Sequence, residues 1–196
     1  MLKFSARNIY LILFAILTTA SISWLQTEQG GPKLDEANTI AITKASFLFQ
    51  FAKSNDWPND KKQGNFRIGI QGNTALYNFL VEKYSGQTIG SQLLEIVEIS
   101  DITSLSETTP NQANNKFIHV LYIESEGDML TQIIDFTKDK PIMVVTSVSG
   151  ETAMPEGAVV NFIVQTSRIR YELDMENALK RGLIVGNRIL SWAITR

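Results

Sequence analysis

The sequence predicts an α/β domain: a mostly parallel sheet flanked by helices on both faces, with a C-terminal antiparallel hairpin at the sheet edge. Three observations carry this expectation. Between residues 66 and 146, apolar runs of strand length alternate with stretches of helical periodicity. The run from Phe117 to Ile123 is almost wholly apolar, as expected of a central strand covered on both faces. From Arg168 to Asp174 the alternation is strict, with Arg168, Arg170, Glu172 and Asp174 on one face and Ile169, Tyr171 and Leu173 on the other.

The chain opens with Lys3 and Arg7. An uncharged apolar run follows from Ile9 to Ala20, and small or polar residues appear from Thr18 to Ser21. This is the layout of a secretory signal peptide, and cleavage after Ala20 is expected. Loss of Lys3 and Arg7 takes the net charge from −2 to −4. The alternative is an uncleaved inner-membrane anchor. The twenty residues from Asn8 to Thr27 carry no charge and are long enough to span a bilayer, with Trp24 at its outer interface. Both alternatives place the domain outside the cytoplasm, in the periplasm. Residues 21–38 hold Gly30, Gly31 and Pro32 and no apolar period, so they are expected to be a linker to a folded domain over 39–196.

From Thr39 the pattern is helical. Thr43, Ser46, Gln50 and Lys53 form a polar stripe opposite Ala41, Ala45, Phe47, Leu48, Phe51 and Ala52. Trp57-Pro58 closes this helix, because a residue before proline avoids the α region. After a polar loop from Asn59 to Asn65, Phe66 to Ile70 is a strand. Gly72-Asn73-Thr74 is a turn and helix cap, and Ala75 to Tyr84 is a helix with Leu76, Phe79, Leu80 and Tyr84 on one side. Leu93 to Ile99 is a strand, Ser104 to Lys116 a polar loop, and Phe117 to Ile123 the central strand. Asp128 to Thr137 is a helix, Ile142 to Thr146 a strand. The hairpin runs from Ala158 to Val164, turns near Thr166-Ser167 and returns over Arg168 to Asp174. Asp174 then caps a helix from Met175 to Arg181, where Glu176 and Lys180 stand at i, i+4 spacing, and Gly182 ends it.

Composition narrows the function. The chain has 196 residues, with 44% hydrophobic and 19% charged residues, which fits one globular domain. A net charge of −2 argues against an electrostatic hold on nucleic acid. There is no cysteine and one histidine, so cysteine nucleophiles, thiol switches, disulfides and the usual zinc sites are excluded. The absence of cysteine also rules out a lipoprotein anchor. No loop has the carboxylate spacing of an EF-hand.

No residue is assigned a catalytic, cofactor-binding or metal-binding role. His119 lies inside an apolar strand, where a histidine is ordinarily a buried structural residue, and no Gly-x-Ser-x-Gly elbow accompanies it. Gly72-Asn73-Thr74 has backbone N–H groups suited to an anion, but a turn with an N-cap explains it more simply. Trp57, Asn161 and Trp192 are read as structural. The face with Arg168, Arg170, Glu172 and Asp174 reads first as a solvated edge whose mixed charges deter unwanted pairing. It is also the best candidate surface for binding a partner.

Taken together, these marks resemble the YfiR family of periplasmic regulators, over nearly the whole folded part from about Ala41 to Trp192. The marks are the helix ending in Trp57-Pro58, the strand and turn Ile68-Gly69-Ile70-Gln71-Gly72-Asn73, and Gly86-Gln87-Thr88-Ile89-Gly90, similar to the family's Gly-Lys-Thr-Val-Gly. The strongest is Gly157-Ala158-Val159-Val160-Asn161-Phe162 running into Arg168-Ile169-Arg170-Tyr171-Glu172-Leu173, with Ala178 and Gly182-Leu183 following in family order. The resemblance implies an exported α/β domain, and the lack of a catalytic constellation in the sequence leads to the expectation that it is non-enzymatic and without a cofactor. Such a domain restrains an inner-membrane signalling enzyme, a diguanylate cyclase or a sensor kinase, through that enzyme's periplasmic part. Another copy of the chain, in a homodimer, is a second partner the sequence leaves open. Some family members carry cysteine pairs; this chain has none, so thiol-based control does not carry over. The alternative function is a periplasmic small-molecule sensor or solute-binding domain, which needs a cleft with convergent polar groups.

Overall fold

The structure is a computed structural model, described here for residues 36–101, 103, 105, 116–148, 154–165 and 168–194. The signal segment, most of the linker, the loop from Ser106 to Asn115 and the hairpin turn at Thr166-Ser167 lie outside the described residues.

The first helix, α1, spans Glu36–Ser54, so the helical pattern read from Thr39 extends back to Glu36. Ala37 has high helix propensity. Thr43 and Ser46 turn their hydroxyls back onto the carbonyls of Thr39 and Ile42, which lets them lie within a helix. The helix stops before Trp57-Pro58: the Asn55 amide donates to Phe51 O, and Asp56 pairs with Ile184 in an antiparallel bridge.

Strand β1 (Phe66–Gln71) leads through Gly72, at φ 80°, into α2 (Thr74–Tyr84). Asn73 Oδ1 accepts the Leu76 N–H at 2.8 Å, which is the expected N-cap. A two-residue strand not foreseen in the sequence, β2 (Thr88–Ile89), turns at Gly90 and pairs with β3 (Gln92–Ile99). After the loop come β4 (Val120–Ile123), α3 (Asp128–Thr137) and β5 (Met143–Thr146). Strands β6 (Val160–Gln165) and β7 (Arg168–Leu173) form the hairpin, followed by α4 (Met175–Lys180) and α5 (Asn187–Leu190).

The strands form one sheet in the order β2-β3-β1-β4-β5-β6-β7. All pairings from β3 to β6 are parallel, and the antiparallel pairs β2-β3 and β6-β7 lie at the two ends. The hairpin is therefore at the sheet edge, as expected. Every residue of β4 and β5 is buried, which accounts for their unbroken apolar sequence. Sheet pairing in β4 starts at Val120 rather than Phe117, although Phe117, Ile118 and His119 are also buried.

Helix α1 packs on α2, α5, β4 and β7. Its Phe51 stacks on Phe162 at 5.9 Å and meets Tyr171 edge-on at 5.0 Å, so the first helix is welded to the hairpin. A second lock involves Arg181, which is buried. Its guanidinium donates to the carbonyls of Thr137, Lys140, Ile142 and Gly157, and Nε to Asn177 Oδ1. One side chain thus ties the end of α4 to the α3-β5 turn and to the entry of β6. Planar, five-donor geometry is what lets one residue serve so many acceptors.

Candidate functional site

Arg168 and Arg170 are exposed on β7. Glu172, expected on the same wet face, is only 5% exposed, which corrects that expectation. Two neighbours flank it in the sheet. On the inner side it stands opposite Asn161 of β6. On the outer side the chain end forms a parallel bridge at Glu172 through Ile194, whose N–H donates to Tyr171 O at 2.8 Å. Asp174 is half-buried and accepts the Asn177 N–H at 2.8 Å as the N-cap of α4. The four residues therefore divide. Two arginines face solvent, one acid is enclosed, and one acid holds a helix end. The exposed part of the face is basic rather than of mixed sign.

Asn161 organises the interior beside this edge. Its Oδ1 accepts both the Thr146 hydroxyl at 2.9 Å and the Val148 N–H at 3.1 Å. Tyr171 donates its hydroxyl to Ile189 O at 2.7 Å, and burial pushes its pKa up to about 12, so it stays a donor. Trp192 is half exposed, with its ring edge-on to Phe47 at 6.3 Å and Arg188 over its face.

His119 is structural. Its Nδ1 accepts the Arg67 N–H at 3.0 Å, and Nε2 donates to Lys61 O at 2.8 Å, which defines the neutral tautomer. The ring stacks on Phe66 at 4.2 Å, and burial pushes its pKa down to about 4. Both ring nitrogens are committed, and neither is left for acid–base chemistry.

A buried polar cluster that the sequence did not announce sits at the C-terminal ends of β1 and β4. The chain goes from β1 to β3 on one side and continues from β4 to β5 on the other, so this is the topological switch point of the sheet. Lys44 of α1 is 3% exposed, and its ammonium donates to Tyr122 Oη and Glu124 Oε1, each at 2.8 Å. Glu124 also accepts from Asn73 Nδ2. Burial, with the Glu124 charge adding to it, pushes the Tyr122 hydroxyl far above its ordinary range. The turn at Asn73 thus serves as a cap and carries a carboxylate from its own chain. Lys44 falls on the apolar side of α1; only the tertiary partner explains it.

Cavities on the described surface include two of ligand scale or near it. One of 290 Å³ is lined by Lys53, Asp56, Trp57, Lys62, Ile89 and Gln92, with Lys62 paired to Asp56 at 2.8 Å. The other, of 430 Å³, lies between α3 and Pro155-Glu156-Gly157. Among the described residues, no three His, Asp or Glu side chains converge to hold a metal, and no helix is long and apolar enough to cross a membrane.

Fold and site together define a mixed α/β domain in which Lys44, His119, Asn161 and Arg181 are engaged in internal hydrogen bonds and the hairpin exposes Arg168 and Arg170. The family model described as YfiR/HmsC-like (DUF4154) matches residues 42–194, and the chain belongs to that family. No curated protein matches the chain.

Proposed function

We propose that this domain is a periplasmic regulator that binds the exported part of an inner-membrane signalling enzyme, a diguanylate cyclase or a sensor kinase, and holds it in a low-output state. Membership of the YfiR/HmsC-like family supports this. The structural observation that carries it is the exposed pair Arg168 and Arg170 on an edge strand. A regulator acts by binding one state of its partner better than the other, and a coupling of about 1–3 kcal/mol changes output severalfold to a hundredfold. The N-terminal segment delivers the domain to the periplasm, either as a signal cleaved near Ser21 or as an anchor. Deletion of the gene is expected to raise the partner's output. Unchanged output in every growth condition would overturn the regulator reading.

The second reading, a small-molecule sensor, is favoured by the 290 Å³ cavity at Trp57, which is near the lower end of ligand-pocket sizes. Saturable binding of a periplasmic solute that is lost on filling this cavity with Ser91→Trp would support it.

A further inference from the structure

The geometry points to strand addition: the outer edge of β7 from Arg168 to Arg170 accepts an extended segment of the partner that carries carboxylates at alternate positions. Resting on the hairpin reading above, this gives the docking its mode and its chemistry.

The backbone directions follow from two hydrogen bonds. Asp174 N–H donates to Val159 O, so this opposed pair exchanges bonds across the hairpin. Antiparallel pairing alternates, so the backbone groups of Glu172, Arg170 and Arg168 also point at β6. Those of Leu173, Tyr171 and Ile169 point outward. Ile194 N–H on Tyr171 O confirms this from the other side. That bridge lies at the level of Glu172, and β7 is the last strand of the sheet. Among the described residues, nothing takes the outward N–H and C=O of Ile169. Open backbone groups on the last strand of a sheet are a template for another strand.

The side chains select what is added. Arg168 and Arg170 stand two residues apart, roughly 7 Å along the strand, which is the repeat of alternate residues on an added strand. Among the described residues neither forms an ion pair. The acids that the sequence placed beside them are withdrawn, Glu172 into the interior and Asp174 onto α4. A second copy adding its own β7 would set arginine against arginine, with Glu172 enclosed and Asp174 engaged as the cap of α4. An acidic segment from a different protein fits, and its charges would set register as well as attraction.

The test uses the full-length chain and three synthetic peptides: acetyl-Thr-Glu-Val-Glu-Val-Thr-amide, the same peptide with lysine for glutamate, and the acidic peptide N-methylated at alternate residues. Residue-resolved amide exchange is the readout. The acidic peptide is expected to slow exchange at Ile169 by roughly tenfold or more, while Arg170, already bonded to β6, and Tyr171, fully buried beside Ile194, are unchanged. The lysine and N-methylated peptides should give no protection, and Arg168→Glu with Arg170→Glu should abolish it in a protein of unchanged circular dichroism. Equal binding of the N-methylated peptide, protection confined to another region, or no protection at millimolar acidic peptide would each overturn strand addition. If gene deletion raises partner output and no peptide protects Ile169, strand addition alone fails. Protection at Ile169 with no effect of deletion sinks the regulator reading alone.

Discussion

The ammonium of Lys44 and the hydroxyl of Tyr122 lie 2.8 Å apart in the interior, one on the first helix and the other on the central strand, 78 residues away in sequence. This contact and the Lys44–Glu124 ion pair join α1 to the switch point of the sheet. Removing Lys44 strands the Glu124 carboxylate, although Glu124 is 30% exposed and partly screened by water. Lys44→Ala is therefore expected to cost about 2–4 kcal/mol, at or below the usual range for breaking a buried pair. Lys44→Met, which keeps the apolar stem packed, should cost clearly less. Urea unfolding of both variants checks this; equal losses would show that packing, not charge, dominates.

His119 makes stability depend on pH. Its pKa is about 4 in the folded protein, against an ordinary 6.5. Between those values the unfolded chain takes up a proton that the folded one refuses. The contribution of the neutral ring is thus complete above pH 6.5 and is lost as pH falls toward 4, amounting to about 3 kcal/mol. The urea midpoint should drop between pH 7 and pH 4.5, and His119→Gln should flatten that part of the profile while lowering stability at pH 7. An unchanged slope in the variant would assign the pH dependence to carboxylates instead.

Arg181 is predicted to resist conservative replacement. Lysine keeps the charge but cannot reach the carbonyls of Thr137, Ile142 and Gly157 at once. Arg181→Lys should cost about 2–3 kcal/mol, because it leaves buried acceptors unsatisfied. Thermal unfolding measures it; a loss within error would mean that water or a backbone shift replaces the clamp.

The hairpin residues should separate by role. Asp174→Ala removes the Asn177 N–H acceptor and should cost about 1 kcal/mol, as loss of an N-cap does. Arg168→Glu and Arg170→Glu, both exposed, should each stay within about 0.5 kcal/mol of the parent while weakening partner binding. A double arginine variant that folds and binds its partner with unchanged affinity would remove the hairpin as the docking surface.

Periodicity made most of the elements legible. The helix of Asp128–Thr137 coincides with its apolar spacing, and Asn73 and Asp174 cap the helices that their side-chain chemistry announced. The two-residue strand at Thr88–Ile89 was not legible, because so short a segment has no period; β3 supplies its structure. Glu172 was misplaced for a related reason. Alternation tells which residues share a face, but not whether another part of the chain covers that face.

The order of apolar runs and turn residues was enough to determine a mixed α/β domain with an edge hairpin. A cysteine-free composition with one histidine was enough to exclude thiol chemistry and the usual zinc sites. These are local properties, set by side-chain spacing and identity. Tertiary structure alone decided that Lys44 is interior, that His119 has both nitrogens occupied, and that Glu172, bridged by Ile194, is buried and leaves a basic edge. Each of those depends on groups dozens of residues away or on the chain end. Burial and hydrogen bonding are set by what packs against a residue, and a linear pattern does not contain that neighbour.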